Sequence, residues 1–459
     1  MIYSSLLFIY GFLPVCLLIY RLIPDKHREL ALLLMSIVFC AIGGLGYLAV
    51  VMLLAALNFA AGIMIDRLRQ HSNYSSIPLI FGVVGDLLAM VMFRSGDFTL
   101  LTGALGFTDE LYPIGIAFMV LSGIGYLADI FYGRIRAESN MVRFGLFMFM
   151  FPRIVMGPLL RYGAFRKIMN NRHFSINETG IGFTIFIKGL AKKVIAADSL
   201  YMMYSAVRSV DPADLSAVDA WLGSIAYMLC LYFTLSGYSD MGCGLGYCFG
   251  LKLPQSFNYP LFTNKVRYFA AKWHIQVVHW FRKYVTRPLS SRTERKWLKK
   301  LVFIAAWGAV GCWYTFSISG AVWGILIGSF IMAEGMIHRI KMLNATGVTI
   351  TFAALALFSP FLSCENIRDS FSWLSAMLGG NKLLADSLTL YLLRYYLVIL
   401  LISMYASTDL FRNMLMRSGR NRLREAVTAA SPVIMIVILA VCTALIAYSG
   451  HSDMILMRL

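Results

Sequence analysis

Long apolar runs separated by short polar or basic loops dominate the chain. They extend from Ile2 to Ile23, Gly46 to Ile65, Ile77 to Phe93, Tyr112 to Tyr132, Trp221 to Phe233, Leu301 to Phe316, Ala321 to Ile337, Val348 to Leu362, Leu390 to Tyr405 and Pro432 to Tyr448. A helix needs roughly 20 apolar residues to cross a hydrocarbon core about 30 Å thick. Lipid offers the backbone no hydrogen-bond partner, so such runs satisfy their own amides as helices. The pattern predicts an all-α polytopic membrane protein with roughly 11 to 13 membrane helices, counting segments that are short, polar or re-entrant. No long soluble stretch intervenes, and residues 1–459 read as a single integral membrane domain. The first run lacks a basic leader and a small-residue cleavage site, so it reads as a retained helix.

Two segments fit poorly as simple spans. Phe147 to Leu160 carries Pro152, Arg153, Gly157 and Pro158, and Gly237 to Gly250 holds five glycines with Asp240 among them. Irregular backbone survives at membrane depth only where protein or a water-filled cavity satisfies it, so both are expected to be re-entrant or broken helices lining a cavity. From Asn258 to Leu289 the pattern turns aromatic and basic. Phe269, Trp273, Val277 and Trp280 recur at helical spacing, as in a helix that lies in the interface or dips partly into it.

Composition agrees with this setting: 59% of residues are hydrophobic and 14% charged, with a mean hydropathy of +0.71. The net charge of +18 does not point to nucleic acid, because the cations gather beside helix ends, as in Arg287 to Lys300 and Arg412 to Arg424. By the positive-inside rule these loops are cytoplasmic, where they also favour anionic head groups. The eight cysteines lie almost entirely in apolar segments and read as small core residues. Cys243 and Cys248 form the one close pair, and no neighbouring His or second Cys pair completes a metal site.

Between Tyr232 and Leu289 polar and ionisable residues crowd into this apolar chain. Ionisable side chains are expensive at bilayer depth, so such a cluster is a functional site by default. Of seven histidines, His27, His71 and His173 fall in loops, His338 at a basic helix end and His451 near the C-terminus. His274 and His279 remain in the cluster. Histidine suits general-base work near neutral pH; the competing role for His274 is a structural histidine bonded to a carbonyl. His279 lies five residues on, on another helical face, and reads as structural.

A resemblance now rests on several motifs in one order: Tyr112-Pro113-Ile114-Gly115-Ile116, Phe151 to Pro158 followed by Arg161-Tyr162, Phe233 to Asp240, Phe257-Asn258-Tyr259-Pro260, and Trp273-His274-Ile275 leading to Trp280-Phe281-Arg282. Together they resemble the membrane-bound O-acyltransferase family, and more closely its bacterial branch of alginate O-acetylation and D-alanyl transfer proteins. The motif-bearing core spans residues 111–328. The resemblance implies a ring of helices around a thin central partition. It also implies passage of an acyl group, acetyl in the first instance, from a cytoplasmic thioester to a hydroxyl of an exported polysaccharide or cell-wall polymer. The donor would be an acyl-CoA or a loaded carrier, with no bound cofactor or metal. The implied partners are the lipid bilayer, the acyl donor, the polymer acceptor and an extracytoplasmic acyltransferase, and the implied location is the plasma or inner membrane.

On this resemblance His274 matches the family's first motif histidine. The second motif reads Trp-His in active relatives, with Trp-Gly ten residues after the Trp and a further histidine beyond. This chain keeps Trp313 and Trp323-Gly324, but Tyr314 stands at the histidine position and Ile327 at the later one. A phenol with a pKa near ~10 is a poor base at neutral pH, which puts catalytic competence in question. His274 and Tyr314 are the catalytic candidates, with Trp273 beside them. Ser236, Ser239 and Asp240 would orient an acceptor or be satisfied within a broken helix. Asn258 and Tyr259 would supply an oxyanion donor or cap the following segment. Arg153, Arg161 and Arg282 would bind donor phosphates or snorkel singly. Asp86 and Asp129 read as interhelical pairs. The alternative function is a non-catalytic scaffold that binds an acyl donor, lipid or partner; the tail Met454 to Leu459 would dock a partner or merely end a helix, and a transporter is a third reading.

Overall fold

The computed structural model describes residues 2–71, 73–94, 115–337, 343–410, 413–414 and 421–449. The Tyr112-Pro113-Ile114 motif, His338, His451, the tail from Met454, and Arg412 with residues 415–420 of the second basic loop lie outside the described residues.

Among the described residues all regular structure is helical. Five helices are long and apolar enough to cross a membrane: Leu45–Arg69, Ala217–Cys248, Thr346–Ser363, Ser387–Ala406 and Ala429–Tyr448. Shorter apolar helices run over Leu7–Leu22, Ser76–Met92, Ile116–Phe131 and Ile318–Glu334. The protein is an all-α polytopic membrane protein. The Ser387–Ala406 helix turns Leu390, Tyr395, Val398 and Ile402 outward, a surface that is stable against lipid tails and costly against water.

The chain forms two compact units, Met1–Ile187 with Tyr238–Gln255 and Lys188–Gly237 with Ser256–Leu459. In the first, an aromatic core forms as Phe8, Phe12, Phe39 and Phe151 pack with centroids 5.4–6.5 Å apart. The segment carrying Pro152 is broken as its prolines dictate: a helix ends at Phe149, a short turn covers Phe151–Ile154, and irregular chain follows to Arg161. The Phe151 N–H, free of the helical ladder, donates to Ser36 Oγ at 3.0 Å, which is how irregular backbone tolerates a buried position. Asn58 donates to Asp86 at 2.7 Å between the Leu45–His71 and Ser76–Arg94 helices. Asp129 forms an ion pair with Arg134 at 3.1 Å.

The glycine-rich segment departs from expectation. Gly237 to Gly250 does not break; through Cys248 it continues the 32-residue helix Ala217–Cys248. Its glycines serve close packing instead. A Cβ on Gly244 would lie 2.6 Å from both Gly182 O and Phe186 N, so only hydrogen lets these backbones meet. Cys312 is a second correction, since it is exposed while the other seven cysteines are buried.

In the second unit a helical hairpin, Lys296–Thr315 and Ile318–Ile337, turns through Phe316 in the left-handed region at φ 54°. Glycines again set the approach. A Cβ on Gly324 would lie 1.9 Å from Trp307 O, and one on Gly311 would lie 2.0 Å from Gly320 O. Across this hairpin Tyr314 and Trp323 lie on facing helices with ring centroids 6.1 Å apart. Elsewhere in the unit a π-helical turn, Lys192–Ala197, buries Lys193 beside its ion-pair partner Asp198.

Candidate functional site

Periodicity predicts one helix through Phe269, Trp273, Val277 and Trp280, but the structure has two. Val266–Lys272 and Ile275–Phe281 are separated by Trp273 and His274, and His274 adopts φ 40°, ψ 54°. A non-glycine residue in this region is strained and is held only when its surroundings determine it. Here they do. Ile275 N–H donates to Ser256 O at 2.9 Å and Asn258 N–H to Lys272 O at 3.1 Å, so residues 256–258 clamp the break from both sides. Phe257, between these bonds, stacks on the His274 ring at 5.1 Å and meets Trp273 edge-on at 5.3 Å.

The break aims two side chains at one atom. Trp273 Nε1–H donates to Tyr314 Oη at 3.0 Å, and His274 Nδ1 lies 2.7 Å from the same oxygen. All three residues are buried. An indole N–H can only donate, so Tyr314 Oη accepts from Trp273, and the phenolic proton reaches His274 Nδ1 in the tautomer that carries the imidazole hydrogen on Nε2. In that tautomer His274 is a neutral acceptor. Its position is outside the long membrane-crossing helices, and burial pulls its pKa below the usual value, to about 3, because the charged form would lose its hydration. Trp313 packs 6.1 Å from the His274 ring. The arrangement can hold one proton between a phenol and an imidazole inside a buried, aromatic-walled site.

The family model for membrane-bound O-acyltransferases matches residues 111–384. The chain belongs to this family. It is similar to the probable alginate O-acetylase AlgI of Azotobacter vinelandii, 31% identical over 406 residues, covering 84% of this chain and 80% of the relative. The same named protein of Pseudomonas aeruginosa is 29% identical, covering 82% of this chain and 75% of the relative. The peptidoglycan O-acetyltransferase of Helicobacter pylori is 26% identical, covering 83% and 80%.

The remaining family-derived candidates fall differently. Asn258 is exposed and Tyr259 sits at φ 47°; neither caps a helix, since the next one begins at Val266 with Lys265 as its N-cap. Asn258 belongs instead to the clamp around His274. Arg282 is exposed at the C-cap of the Ile275–Phe281 helix. Ser236 is fully buried in the same unit, and its hydroxyl has no hydrogen-bond partner among the described residues. In the other unit, Ser239 is likewise buried without such a partner, Asp240 is half-buried and Arg161 is exposed. Arg153 is buried, donates to Phe147 O and stacks 5.0 Å from the Phe147 ring. It is therefore an inward arginine and not a snorkelling one. Phe257, Trp313 and Trp323 have no assigned role in the sequence reading, although they stand inside its motifs. Their signal was present as aromatic residues flanking each polar one. Among the described residues no group of three or more His, Cys, Asp or Glu could hold a metal.

Proposed function

We propose that this membrane protein transfers an acetyl group from a cytoplasmic thioester, acetyl-CoA or a loaded carrier, to a hydroxyl of an exported polysaccharide or cell-wall polymer. The membrane would be the plasma or inner membrane, with an extracytoplasmic acyltransferase as partner. Support for the reaction class comes from the family, and for the acceptor class from relatives named for alginate and peptidoglycan O-acetylation. The single observation that carries the mechanism is the 2.7 Å contact between His274 Nδ1 and Tyr314 Oη.

That contact answers the difficulty of a tyrosine at the expected histidine position. A phenol is a poor base on its own, but in a relay it need not ionise. As the acceptor hydroxyl gives its proton to Tyr314 Oη, the phenolic proton passes to His274 Nδ1. The acceptor oxygen then attacks the thioester carbonyl, the new C–O bond forms, the C–S bond breaks, and the thiolate takes back one proton through the same pair. Trp273 N–H stays on Tyr314 Oη and steadies the phenol while its charge shifts. Exclusion of water by the aromatic walls suppresses hydrolysis of the thioester.

The second reading, a non-catalytic scaffold, is favoured by the same Tyr314 substitution. Thioester turnover by the purified protein in lipid nanodiscs separates them. Acetyl transfer by the wild type that disappears in His274→Ala supports the relay. A silent wild type with activity appearing in Tyr314→His overturns it in favour of the scaffold.

A further inference from the structure

Beside the Trp273–Tyr314 contact lies an apolar cavity of about 20 Å³. Its walls include Met228, Leu231, Leu261 and Leu355 together with Trp273 and Trp323, all buried. The two tryptophans are shared with the site: Trp273 donates to Tyr314 Oη, and Trp323 meets the Tyr314 ring edge-on. The polar groups in the wall are already committed. Tyr227 Oη donates to Leu362 O at 2.9 Å, and Ser359 Oγ lies 2.9 Å from Ala356 O and 3.2 Å from Ser224 O. A cavity whose lining offers no free polar group stays dry and takes apolar matter.

Size decides which matter. One water needs roughly 10–15 Å³ on this measure, so the space takes one or two methyl-sized groups. A lipid tail is excluded by its length. We infer that this cavity receives the methyl end of a short acyl group and thereby restricts the protein to two- or three-carbon groups among unbranched acyl chains. The inference rests on the acyl-transfer reading and adds to it the residues that set chain length. Met228 and Leu355 are part of its apolar wall, and a chain longer than propionyl would have to displace wall residues or leave its methylenes outside the cavity.

The test is binding of unreactive thioether analogues of acyl-pantetheine, the arm common to CoA and loaded carriers. S-ethyl-pantetheine and S-butyl-pantetheine are titrated calorimetrically into the full-length protein in nanodiscs, beside acetyl-CoA turnover. The ethyl form is expected to bind about 10-fold or more tighter, the range that one misfitting methylene gives in a shaped pocket. Met228→Ala and, independently, Leu355→Ala should each narrow that gap severalfold by enlarging the cavity. Equal affinity of the two analogues in the wild type, binding of neither, or an unchanged gap in whichever variants fold would overturn the inference. Because binding is read apart from turnover, the two claims fail separately. Ethyl preference without acetyl transfer would retain the cavity assignment and remove the catalytic reading, while transfer with equal binding would do the reverse.

Discussion

Tyr314 Oη and His274 Nδ1 stand 2.7 Å apart although forty residues of chain separate them. By the family resemblance the phenol stands where active relatives carry an imidazole, and the first-motif imidazole of His274 lies beside it. One proton is thus shared by two groups, neither of which is an effective base alone in this setting: the phenol is too weakly acidic, and the imidazole is too deeply buried to charge readily.

If the two act as a unit, their removal is not additive. His274→Ala and Tyr314→Phe should each lower acetyl transfer by about 10²–10⁴, the usual contribution of positioned proton transfer, and the double variant should be little worse than either single one. Initial rates in nanodiscs for the three variants check this, and a product of the two single effects in the double variant would argue for independent roles.

Burial also sets the pH response. With the His274 pKa pulled down to about 3, the neutral, proton-accepting form persists well below the ordinary histidine value near ~6.5. The acid limb of the transfer rate is therefore expected below about pH 5, with no loss as pH falls through 6.5. A rate profile from pH 8 to 5 decides the matter, and a half-maximal point near 6.5 would place the titrating base elsewhere.

The hairpin glycines are packing residues, and Gly324→Ala tests them. The added methyl would meet Trp307 O at 1.9 Å, so the helices must separate and carry Trp323 away from Tyr314. Overpacking of this kind costs about 1–3 kcal/mol. A lower thermal unfolding midpoint in lipid, together with reduced transfer, is the expected pair of results.

In the other unit the Asn58–Asp86 bond joins two apolar helices. Interhelical hydrogen bonds of this sort contribute about 0.6–2 kcal/mol in membranes. Asp86→Ala should therefore lower unfolding stability by that order without altering the His274–Tyr314 chemistry. Equilibrium unfolding in mixed micelles measures it, and Asn58→Ala should give a loss of similar size.

The sequence by itself determined the all-α membrane class and which family the motifs belong to. Both depend on local properties: an apolar run must satisfy its own amides as a helix, and Pro152 and Pro158 must interrupt one wherever they fall. Asp86 was legible as a polar residue needing a partner, though its partner was not. Tertiary structure decided the rest. Periodicity through Phe269 and Val277 could not reveal the break at His274, because the clamp from residues 256–258 and the pull of Tyr314 come from elsewhere in the chain. The glycines from Gly237 to Gly250 could mean a break or a close contact, and only the presence of Gly182 against Gly244 selected the contact. Tyr314 read alone is a lost base; beside His274 it becomes half of a proton-sharing pair, because hydrogen bonding depends on distance in space and not on separation along the chain.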